Sequence, residues 1–501
     1  MRRLIAPACV LAVLAGMGCG DGPVEPRPPR LRLIDPGAVS DTVLALPGRP
    51  IIVQAFDTAG RPVQNAIVRF IVRPPAGADD LEHRRGMYVC RYSDDRCAVF
   101  YERGGYSVTY GIDVWTDSTG HARARVQFGV IAGSSSIEVS LPPVGIGVPP
   151  PSPAISLDVH YTTLVGALAQ VTTSTVDTAV YVGSGYDLSA RAADQFGNPR
   201  GEAVTLSSLT PTVVTVAAGR ATAAGLGRGR IRMQAASVID TAFVSVPPVG
   251  RLVSMGWPAS AANPQLTLVN TDGSTRRVLL QTYGINGSAL PTWTPDGVGI
   301  VIQRRTAENY EGQLLAVDTL GGQRPFLANP NDFARSIQPT AAGSALYFHG
   351  HQISSAQEGV FRVGTDGVGA EFLFAGVQPG PSPDGSKVAY VRGDSLFVRD
   401  LASGVVTPLA YDPVHPRWSP AGDLIAYVAA QTGTVHVIRP DGSESRQLGG
   451  TFYDLQVAWS PDGNWLAVSR SQGIMEIIRV SDGERLPIAG THGLHQLSWR
   501  K

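Results

Sequence analysis

The sequence predicts an all-β protein in which two β-sandwiches precede a six-bladed β-propeller. The first observation is a short turn that pairs Asp with Gly after an apolar strand and recurs at intervals of roughly 40 residues in the C-terminal half. A second turn, of the Pro-Asp-Gly type, recurs out of phase with it, and four short strands fit each interval, as in a propeller blade. The third observation is the alternation of apolar and polar residues in the N-terminal half, which is typical of sandwich strands. The Asp–Gly turns lie at Asp272-Gly273, Asp318 with Gly321, Asp366-Gly367, Asp400 with Gly404, Asp441-Gly442 and Asp482-Gly483.

The second turn has the chemistry of a tight reversal, because Pro fixes φ, Asp can hydrogen-bond the turn backbone, and Gly accepts a positive φ. The propeller region opens at residues 252–255, which have the character of a second blade strand without a first. The chain finishes at residues 497–501 with a strand like those that precede the second turn. We therefore expect the last strand to complete the first blade, which would remove an exposed sheet edge. Copies of the second turn lie at residues 291–297, 338–343, 380–385, 416–422 and 458–463.

These turns resemble those of the TolB-like family of propellers, whose blades carry a Trp-Ser-Pro-Asp-Gly motif. Residues 459–463 carry the full motif, whereas residues 340–343 lack both its Trp and its Asp. The resemblance covers residues 249–501, and the family's small N-terminal α/β domain is not evident in this sequence. It implies a closed disc that binds a partner through loops on one face or at the mouth of the central channel. We expect the Trp and Asp residues of the turns to be structural.

The N-terminus has the pattern of an export signal. Arg2 and Arg3 form its positive region, residues 4–14 its apolar region, and small residues lead to Cys19. An export signal that ends in Cys resembles those of bacterial lipoproteins, which implies lipidation of Cys19. We expect a signal peptide at 1–18 and a tether at 19–30; an uncleaved anchor or a plain secretory signal are the alternatives.

Residues 31–142 form the first predicted sandwich module. In residues 121–128, Ala and Val alternate with polar residues, which places Ala122, Val126 and Phe128 on one face and Gln127 on the other. Turns such as the one at residues 57–63 separate these strands. The pattern resembles the group 1 bacterial Ig-like domains of invasin- and intimin-type adhesins, which implies a sandwich that acts as a rod or presenter.

Residues 154–248 form the second predicted module. The stretches 205–208, 211–216 and 225–231 resemble the group 2 bacterial Ig-like repeats, which implies another sandwich. The Pro-rich residues 143–153 between the modules predict a semi-rigid linker.

Composition and cysteine usage narrow the function classes. Lys+Arg and Asp+Glu are both 41, and no basic run suggests nucleic acid as a partner. Cys9 and Cys19 belong to the predicted signal, so Cys90 and Cys97 are expected to form a local disulfide in an oxidising compartment. A Cys-only zinc site would need more ligands than these, and we expect no metal and no cofactor.

Two groups of residues are candidates for binding. Residues 82–110 of the first module are rich in Tyr and Arg, the composition of contact surfaces, although their rings could equally pack in the sandwich core. In the propeller, aromatic and His residues on irregular segments are the candidates, and a His pair would still need a third ligand to hold a metal. The candidates are Tyr88, Arg91, Tyr92, Arg96 and Tyr101 in the first module and Tyr310, His349, His351, Tyr411, His415 and Tyr453 in the propeller.

Together these features predict a non-catalytic lipoprotein of the cell envelope, at the outer membrane on its periplasmic or surface side. It would touch the membrane through its lipid only, remain a monomer, and present the propeller on sandwich spacers to a protein or glycan. The alternative is a propeller enzyme, a hydrolase or lyase acting on a glycan or peptide at the channel mouth. A cluster of ionisable side chains facing the channel would favour the enzyme.

Overall fold

A computed structural model describes most of the chain, and it confirms the all-β class. The described residues form strands and no α-helix. None of them belongs to a helix long and apolar enough to cross a membrane. The chain divides into two compact units, Met1–Gln170 with Ala192–Gly201, and Val171–Arg191 with Glu202–Lys501. The structure describes residues 30–73, 86–100, 106–108, 110–142, 155–173, 178–256, 263–281, 291–294, 297–305, 312–327, 333–334, 340–342, 345–450, 456–469, 474–491 and 493–500.

The first unit is a sandwich of two sheets around one core. A four-stranded sheet has the order β1-β3-β9-β5, and a five-stranded sheet has the order β2-β11-β10-β4-β8. Both contribute alternate apolar residues to the core, including Val53, Phe70, Phe128 and Ile137, because successive side chains of a strand point to opposite faces. The strands are β1 (Arg30–Asp35), β2 (Ser40–Thr42), β3 (Ile51–Phe56), β4 (Ile67–Arg73), β5 (Met87–Arg91), β6 (Ala98–Phe100), β7 (Tyr106–Val108), β8 (Gly111–Trp115), β9 (His121–Phe128), β10 (Gly133–Ser140) and β11 (Ser156–Leu164).

Strand β11 lies in the first sandwich and corrects the expected start of the second module at residue 154. It pairs antiparallel with β10 from Ser156 to Thr163 and parallel with β2. Its alternate residues Val159 and Tyr161 are buried in the first core, so hydrophobic burial assigns this strand to the earlier sheet. The predicted linker, residues 143–153, lies outside the described residues.

The rest of the second predicted module contains two sheets that belong to the second unit. One has four strands in the order β13-β20-β19-β16, and the other has three in the order β14-β18-β17. Buried residues such as Val214, Ile231 and Val244 lie on these strands. The strands are β12 (Gln170–Thr173), β13 (Thr178–Ala179), β14 (Gly185–Asp187), β15 (Ala190–Ala193), β16 (Thr205–Ser208), β17 (Val214–Ala217), β18 (Arg220–Ala223), β19 (Gly227–Ala235) and β20 (Val238–Val246).

Six successive sheets form the propeller, and their first three blades comprise β21 to β32. Blade 1 has the order β23-β22-β21-β45, blade 2 the order β24-β25-β26-β27, and blade 3 the order β28-β30-β31-β32, with β29 also paired to β30. The strands are β21 (Arg251–Gly256), β22 (Gln265–Asn270), β23 (Arg276–Gln281), β24 (Thr292–Trp293), β25 (Gly299–Arg305), β26 (Gly312–Asp318), β27 (Gln323–Pro325), β28 (Phe333–Ala334), β29 (Thr340–Ala342), β30 (Ala345–Gln352), β31 (Gln357–Gly364), β32 (Glu371–Phe374) and, from the end of the chain, β45 (Leu494–Arg500).

The remaining three blades are regular four-stranded sheets in chain order. Blade 4 comprises β33 to β36, blade 5 comprises β37 to β40, and blade 6 comprises β41 to β44. The strands are β33 (Val377–Pro381), β34 (Lys387–Arg392), β35 (Ser395–Asp400), β36 (Val406–Tyr411), β37 (Pro413–Trp418), β38 (Ile425–Ala429), β39 (Thr434–Ile438), β40 (Arg446–Gly449), β41 (Val457–Trp459), β42 (Trp465–Ser469), β43 (Met475–Arg479) and β44 (Arg485–Pro487).

The last strand closes the propeller, as the sequence predicts. Strand β45 pairs antiparallel with β21, and Trp499 lies opposite Leu252. Strands β24, β29, β33, β37, β41 and β45 contact one another in a closed ring. This closure leaves the first and last blades without an open edge between them and places the inner strands around a central channel.

The second module is hydrogen-bonded to the propeller within the same unit. The Arg479 guanidinium of blade 6 donates to the carbonyl oxygen of Leu226 at 3.2 Å, and the Arg228 amide donates to Glu484 at 3.0 Å. The Tyr181 hydroxyl lies 3.2 Å from that of Thr271 in blade 1. These bonds join the module to blades 1 and 6.

Candidate functional site

The inner strands of the propeller surround a cavity of about 400 Å³ at the end of the channel where the second type of turn lies. Its described wall is made of indole and proline rings, hydroxyl groups, one amide and two guanidinium groups. Five of the six inner strands contribute to it. The residues that line it from the inner strands include Thr292, Trp293, Gly380, Pro381, Arg417, Trp418, Ala458, Trp459, Ser498 and Trp499.

The repeat explains which residues reach this cavity. When the six inner strands are aligned by their pairing with the neighbouring strand of the blade, one position carries Trp in four copies, and the position before it carries Thr292, Thr340, Gly380, Arg417, Ala458 and Ser498. Arg417 is the only charged residue among these six. The inner strand therefore follows the same course in every blade, and only blade 5 has a positively charged side chain at this position.

Arg417 lies in the wall without an acidic partner among the described residues. Its Nη1 donates to the carbonyl oxygen of Pro416 at 3.0 Å, and its own carbonyl oxygen accepts from Trp459 Nε1 at 2.9 Å. The side chain is half-buried, and it lines the cavity. Loss of hydration lowers the pKa of Arg417 to about 10, so the guanidinium remains charged at neutral pH.

A β-bulge shapes the inner strands of blades 4 and 5. The register between β33 and β34 shifts between Val377 and Gly380, and the equivalent shift in β37 falls between Val414 and Arg417. Gln378 and His415 occupy the same bulge position, with φ of 52° and 51°. A positive φ is costly for residues other than Gly and is concentrated at functional sites, and bulges re-aim side chains.

The two bulges are hydrogen-bonded to each other. The His415 amide donates to Gln378 Oε1 at 2.8 Å. Burial and the nearby Arg417 charge lower the pKa of His415 to about 3, so its imidazole is neutral in physiological solutions. His415 Nδ1 is buried and has no hydrogen-bond partner among the described residues. Gln456 of blade 6, at the position equivalent to these two, also lines the cavity.

The turns beside the cavity have a structural role that explains their Ser and Asp residues. Ser382 Oγ accepts from the Lys387 amide at 2.9 Å and donates to Asp384 at 2.6 Å. In blade 5 the motif has Ala421 in place of Asp, and Ser419 Oγ donates instead to Asp423 at 2.7 Å. The carboxylates of these turns thus accept hydrogen bonds from Ser hydroxyl groups of the same turns, which agrees with the expectation that they are structural.

The Tyr- and Arg-rich stretch of the first module is only partly a surface. Tyr88 is fully buried against Cys90, Cys97 and Tyr110, so its prediction as a contact residue is wrong. Its place on β5 directs the ring into a small core beside the disulfide. Arg91, Tyr92 and Arg96 are exposed.

The loop closed by the Cys90–Cys97 disulfide is fixed to strand β9. Gln127, expected on the water-facing side of this strand, is buried, and its Oε1 accepts from the Cys97 amide at 2.9 Å. The Arg125 guanidinium donates to the Asp94 carbonyl oxygen at 2.7 Å and lies 5.5 Å from the centre of the Tyr92 ring.

The other predicted site residues do not converge. His349 and His351 lie on one face of β30, and His349 Nε2 is 3.7 Å from Glu358 Oε1. No cluster of three metal-ligating side chains occurs among the residues that the structure describes. Tyr411, at the end of β36, is 66% exposed. Cys19, Tyr101, Tyr310 and Tyr453 lie outside the described residues.

Of the predicted residues that the structure describes, only His415 lies next to the cavity lining, two positions before Arg417. Arg417, Gln378 and Gln456 are absent from the sequence-based candidates. The signal that could have found Arg417 is the alignment of the six inner strands, in which it replaces small or hydroxyl residues.

One family model matches part of the propeller. Residues 416–500 match the model of the family described as the WD40 domain of anaphase-promoting complex subunit 4. No curated relative matches the chain. The chain is similar to TolB from Acinetobacter baumannii, with a TM-score of 0.42 and 15% identity over 60% of this chain and 83% of that one.

Two further solved structures have comparable similarity. One is a nidogen/laminin complex, with a TM-score of 0.40 and 11% identity over 50% of this chain and 98% of that one. The other is a putative 6-phosphogluconolactonase from Bacteroides uniformis, with a TM-score of 0.32 and 17% identity over 49% of this chain and 80% of that one. Strand pairing within the chain itself establishes the propeller.

Proposed function

We propose that this protein is a non-catalytic, lipid-anchored component of the bacterial cell envelope whose propeller binds a partner at the mouth of its channel. The observation that carries the proposal is the cavity of about 400 Å³. Its wall contains Arg417, which has no acidic partner among the described residues. A concave site with a few convergent polar groups is the usual form of a binding site.

The protonation states of the groups at the channel favour binding over acid–base chemistry. A general acid or base works best with a pKa near the working pH. His415, with a pKa of about 3, stays neutral, and Arg417, with a pKa of about 10, stays charged. Neither side chain therefore gains or loses a proton readily at neutral pH. Both are suited to the recognition of a ligand through hydrogen bonds and a fixed charge.

The packing of three of the four indole rings in the cavity wall favours a protein partner over a glycan. Trp293, Trp459 and Trp499 are each only 7–8% exposed, since they pack in the apolar cores between blades. A sugar that stacks on an aromatic residue needs an exposed ring face. Ring edges and prolines instead provide an apolar rim for the side chains of a peptide segment.

Site-specific photo-crosslinking in the native bacterium tests this proposal. Benzoylphenylalanine at Trp418 should give one defined adduct with a protein, because Trp418 lines the cavity. The matched control is Val405, which is 61% exposed in the outer hairpin of blade 4 and should give none. Benzoylphenylalanine at Tyr92 reports on the disulfide loop. Adducts from Tyr92 alone would transfer the site to the first module, and turnover of the captured partner by purified protein would establish the enzyme instead.

The anchoring is tested separately. Cys19→Ser removes the thiol that would carry the lipid, and we expect the protein to move from the membrane fraction to the soluble envelope fraction. A matched Cys9→Ser variant should remain with the membrane. Retention of Cys19→Ser in the membrane would contradict a lipid anchor.

A further inference from the structure

We propose that the channel mouth takes a carboxylate of a protein segment and that the Arg417 guanidinium binds it. This inference rests on the proposed function and specifies the chemistry of its ligand. The carboxylate is either the C-terminus of a chain or the side chain of Asp or Glu, since the same pair of oxygens occurs in both.

The first step is the unsatisfied bonding capacity of Arg417. A guanidinium has five N–H donors in a planar fork. One donates to the Pro416 carbonyl oxygen at 3.0 Å, and no carboxylate lies within ion-pair distance of Arg417 among the described residues. The loss of water around a cation inside a protein is costly unless an anion compensates it.

The second step is the charge of the cavity as a whole. Its described lining contains two arginines, Arg417 and Arg500, and no Asp or Glu. Arg500 lies over the Trp293 ring, 5.6 Å from its centre, where a cation–π contact stabilises it at the rim. The two guanidinium groups therefore give the wall a positive charge that the described lining does not balance.

The third step is the space in front of Arg417. The equivalent positions in neighbouring strands are Gly380 and Ala458, and those farther around the ring are Thr292 and Ser498. These short side chains line the cavity together with Arg417, the one long side chain at this level. A carboxylate there can accept two parallel N–H···O bonds from the guanidinium fork, the geometry that makes Arg selective for planar anions.

The bulge next to Arg417 supports the same assignment. Gln378 Oε1 is already bonded to the His415 amide, which fixes the two bulges against each other behind the cavity. His415 is neutral, so it adds no second charge there. A single guanidinium at this depth suits a singly charged carboxylate better than a phosphate dianion.

Titration of the mature full-length chain with four probes tests the inference by tryptophan emission, since four of the seven Trp residues line the cavity. The probes are hexapeptide pools of uncharged residues with a free C-terminal acid, the same pools as C-terminal amides, amides with one central Glu, and an oligogalacturonate. We expect the acid or the Glu pool to bind about tenfold tighter than the neutral amide. The arm that responds identifies the source of the carboxylate.

Matched variants show whether Arg417 is responsible. Arg417→Met should reduce the affinity ratio between the responding carboxylate pool and the neutral amide pool to about one, and Arg417→Lys should give an intermediate ratio because an ammonium lacks the fork. Arg446→Met, at the outer strand of the same blade, should leave the ratio unchanged. A folding defect would lower both affinities together and leave their ratio intact.

Three results would overturn the inference. Equal binding of the neutral amide pool and both carboxylate pools, a preference for a carboxylate pool that survives in Arg417→Met, or no response to any peptide pool, with or without a response to oligogalacturonate, would each do so. The crosslinking from position 418 decides the proposed function independently, since it requires a bound partner but no particular charge.

Discussion

Among the described residues, arginine side chains such as Arg69 are paired with carboxylates in the first sandwich, whereas Arg417 in the propeller channel is not. In the sandwich, Arg69 donates two bonds of 2.8 Å to Asp113, and Arg73 pairs with Glu138, with both pairs on the surface. In the channel, Arg417 has no acidic partner among the described residues and faces a cavity. A paired surface arginine is compensated within the fold, whereas an unpaired one beside a cavity is costly, and we propose that a ligand compensates Arg417.

The largest change in stability is expected from a substitution in the core of the propeller. Trp465 is 1% exposed in the core between blades 6 and 1, and Trp465→Ala should destabilise the second unit by about 3–5 kcal/mol. Hydrogen exchange should accelerate in β42 and leave β9 unchanged; Trp465→Phe is the conservative control. Equal acceleration in both strands would contradict independent cores.

The next effect is confined to the sandwich. The disulfide joins residues seven apart, and Cys90→Ser with Cys97→Ser should cost about 2 kcal/mol, because the unfolded chain regains the freedom of that loop. Calorimetry should show an earlier transition for the first unit and unchanged peptide binding at the channel. Loss of that binding in the double variant would make the loop part of the binding site.

A pair of Arg-to-Met substitutions gives the sharpest contrast between the two regions. Arg417→Met should raise the stability by about 1 kcal/mol, because it removes an enclosed cation that lacks a partner. Arg69→Met should lower it by less than about 1 kcal/mol, since exposed ion pairs contribute little. Urea unfolding measures both signs. A large destabilisation by Arg417→Met would show that Arg417 stabilises the fold of the propeller.

The smallest effect concerns the turn carboxylates. Hydrogen bonds from the Ser382 hydroxyl and the Ser386 amide and hydroxyl lower the pKa of Asp384 to about 2. Because the folded pKa lies below the unfolded value of about 3.9, the stabilisation is present above that value and is lost as the pH falls through 2. Asp384→Asn should therefore lower the melting temperature at pH 6 and have a much smaller effect at pH 2. A difference that persists at pH 2 would exclude this carboxylate as the cause.

Local chemistry made much of the fold predictable. The Pro, Asp and Gly of each turn act within a few residues, so the repeat reveals the blades, and the strand at the end of the chain reveals the closure. The sequence does not place strand β11 in the first module, because its register depends on Val159 and Tyr161 entering a core formed by distant strands. The sequence leaves Tyr88 open between a contact surface and the core, because its alternation does not reveal the small core under the disulfide loop.

The site was harder to predict than the fold. The position of Arg417 beside the cavity results from the convergence of six inner strands on one channel. No sequence motif within blade 5 distinguishes this residue. His415 was identified only as a residue on an irregular segment; its bulge, its bond to Gln378 and its neutral state are properties of the closed ring.

Crosslinking from benzoylphenylalanine at position 418 in living cells, compared between Arg417→Met and Arg446→Met backgrounds, shows whether partner binding at the channel mouth depends on Arg417. If the unpaired guanidinium makes the channel mouth a binding site, the protein adduct disappears with Arg417→Met and persists with Arg446→Met. An adduct of equal yield in both backgrounds would show that the partner does not depend on Arg417 and would contradict the account.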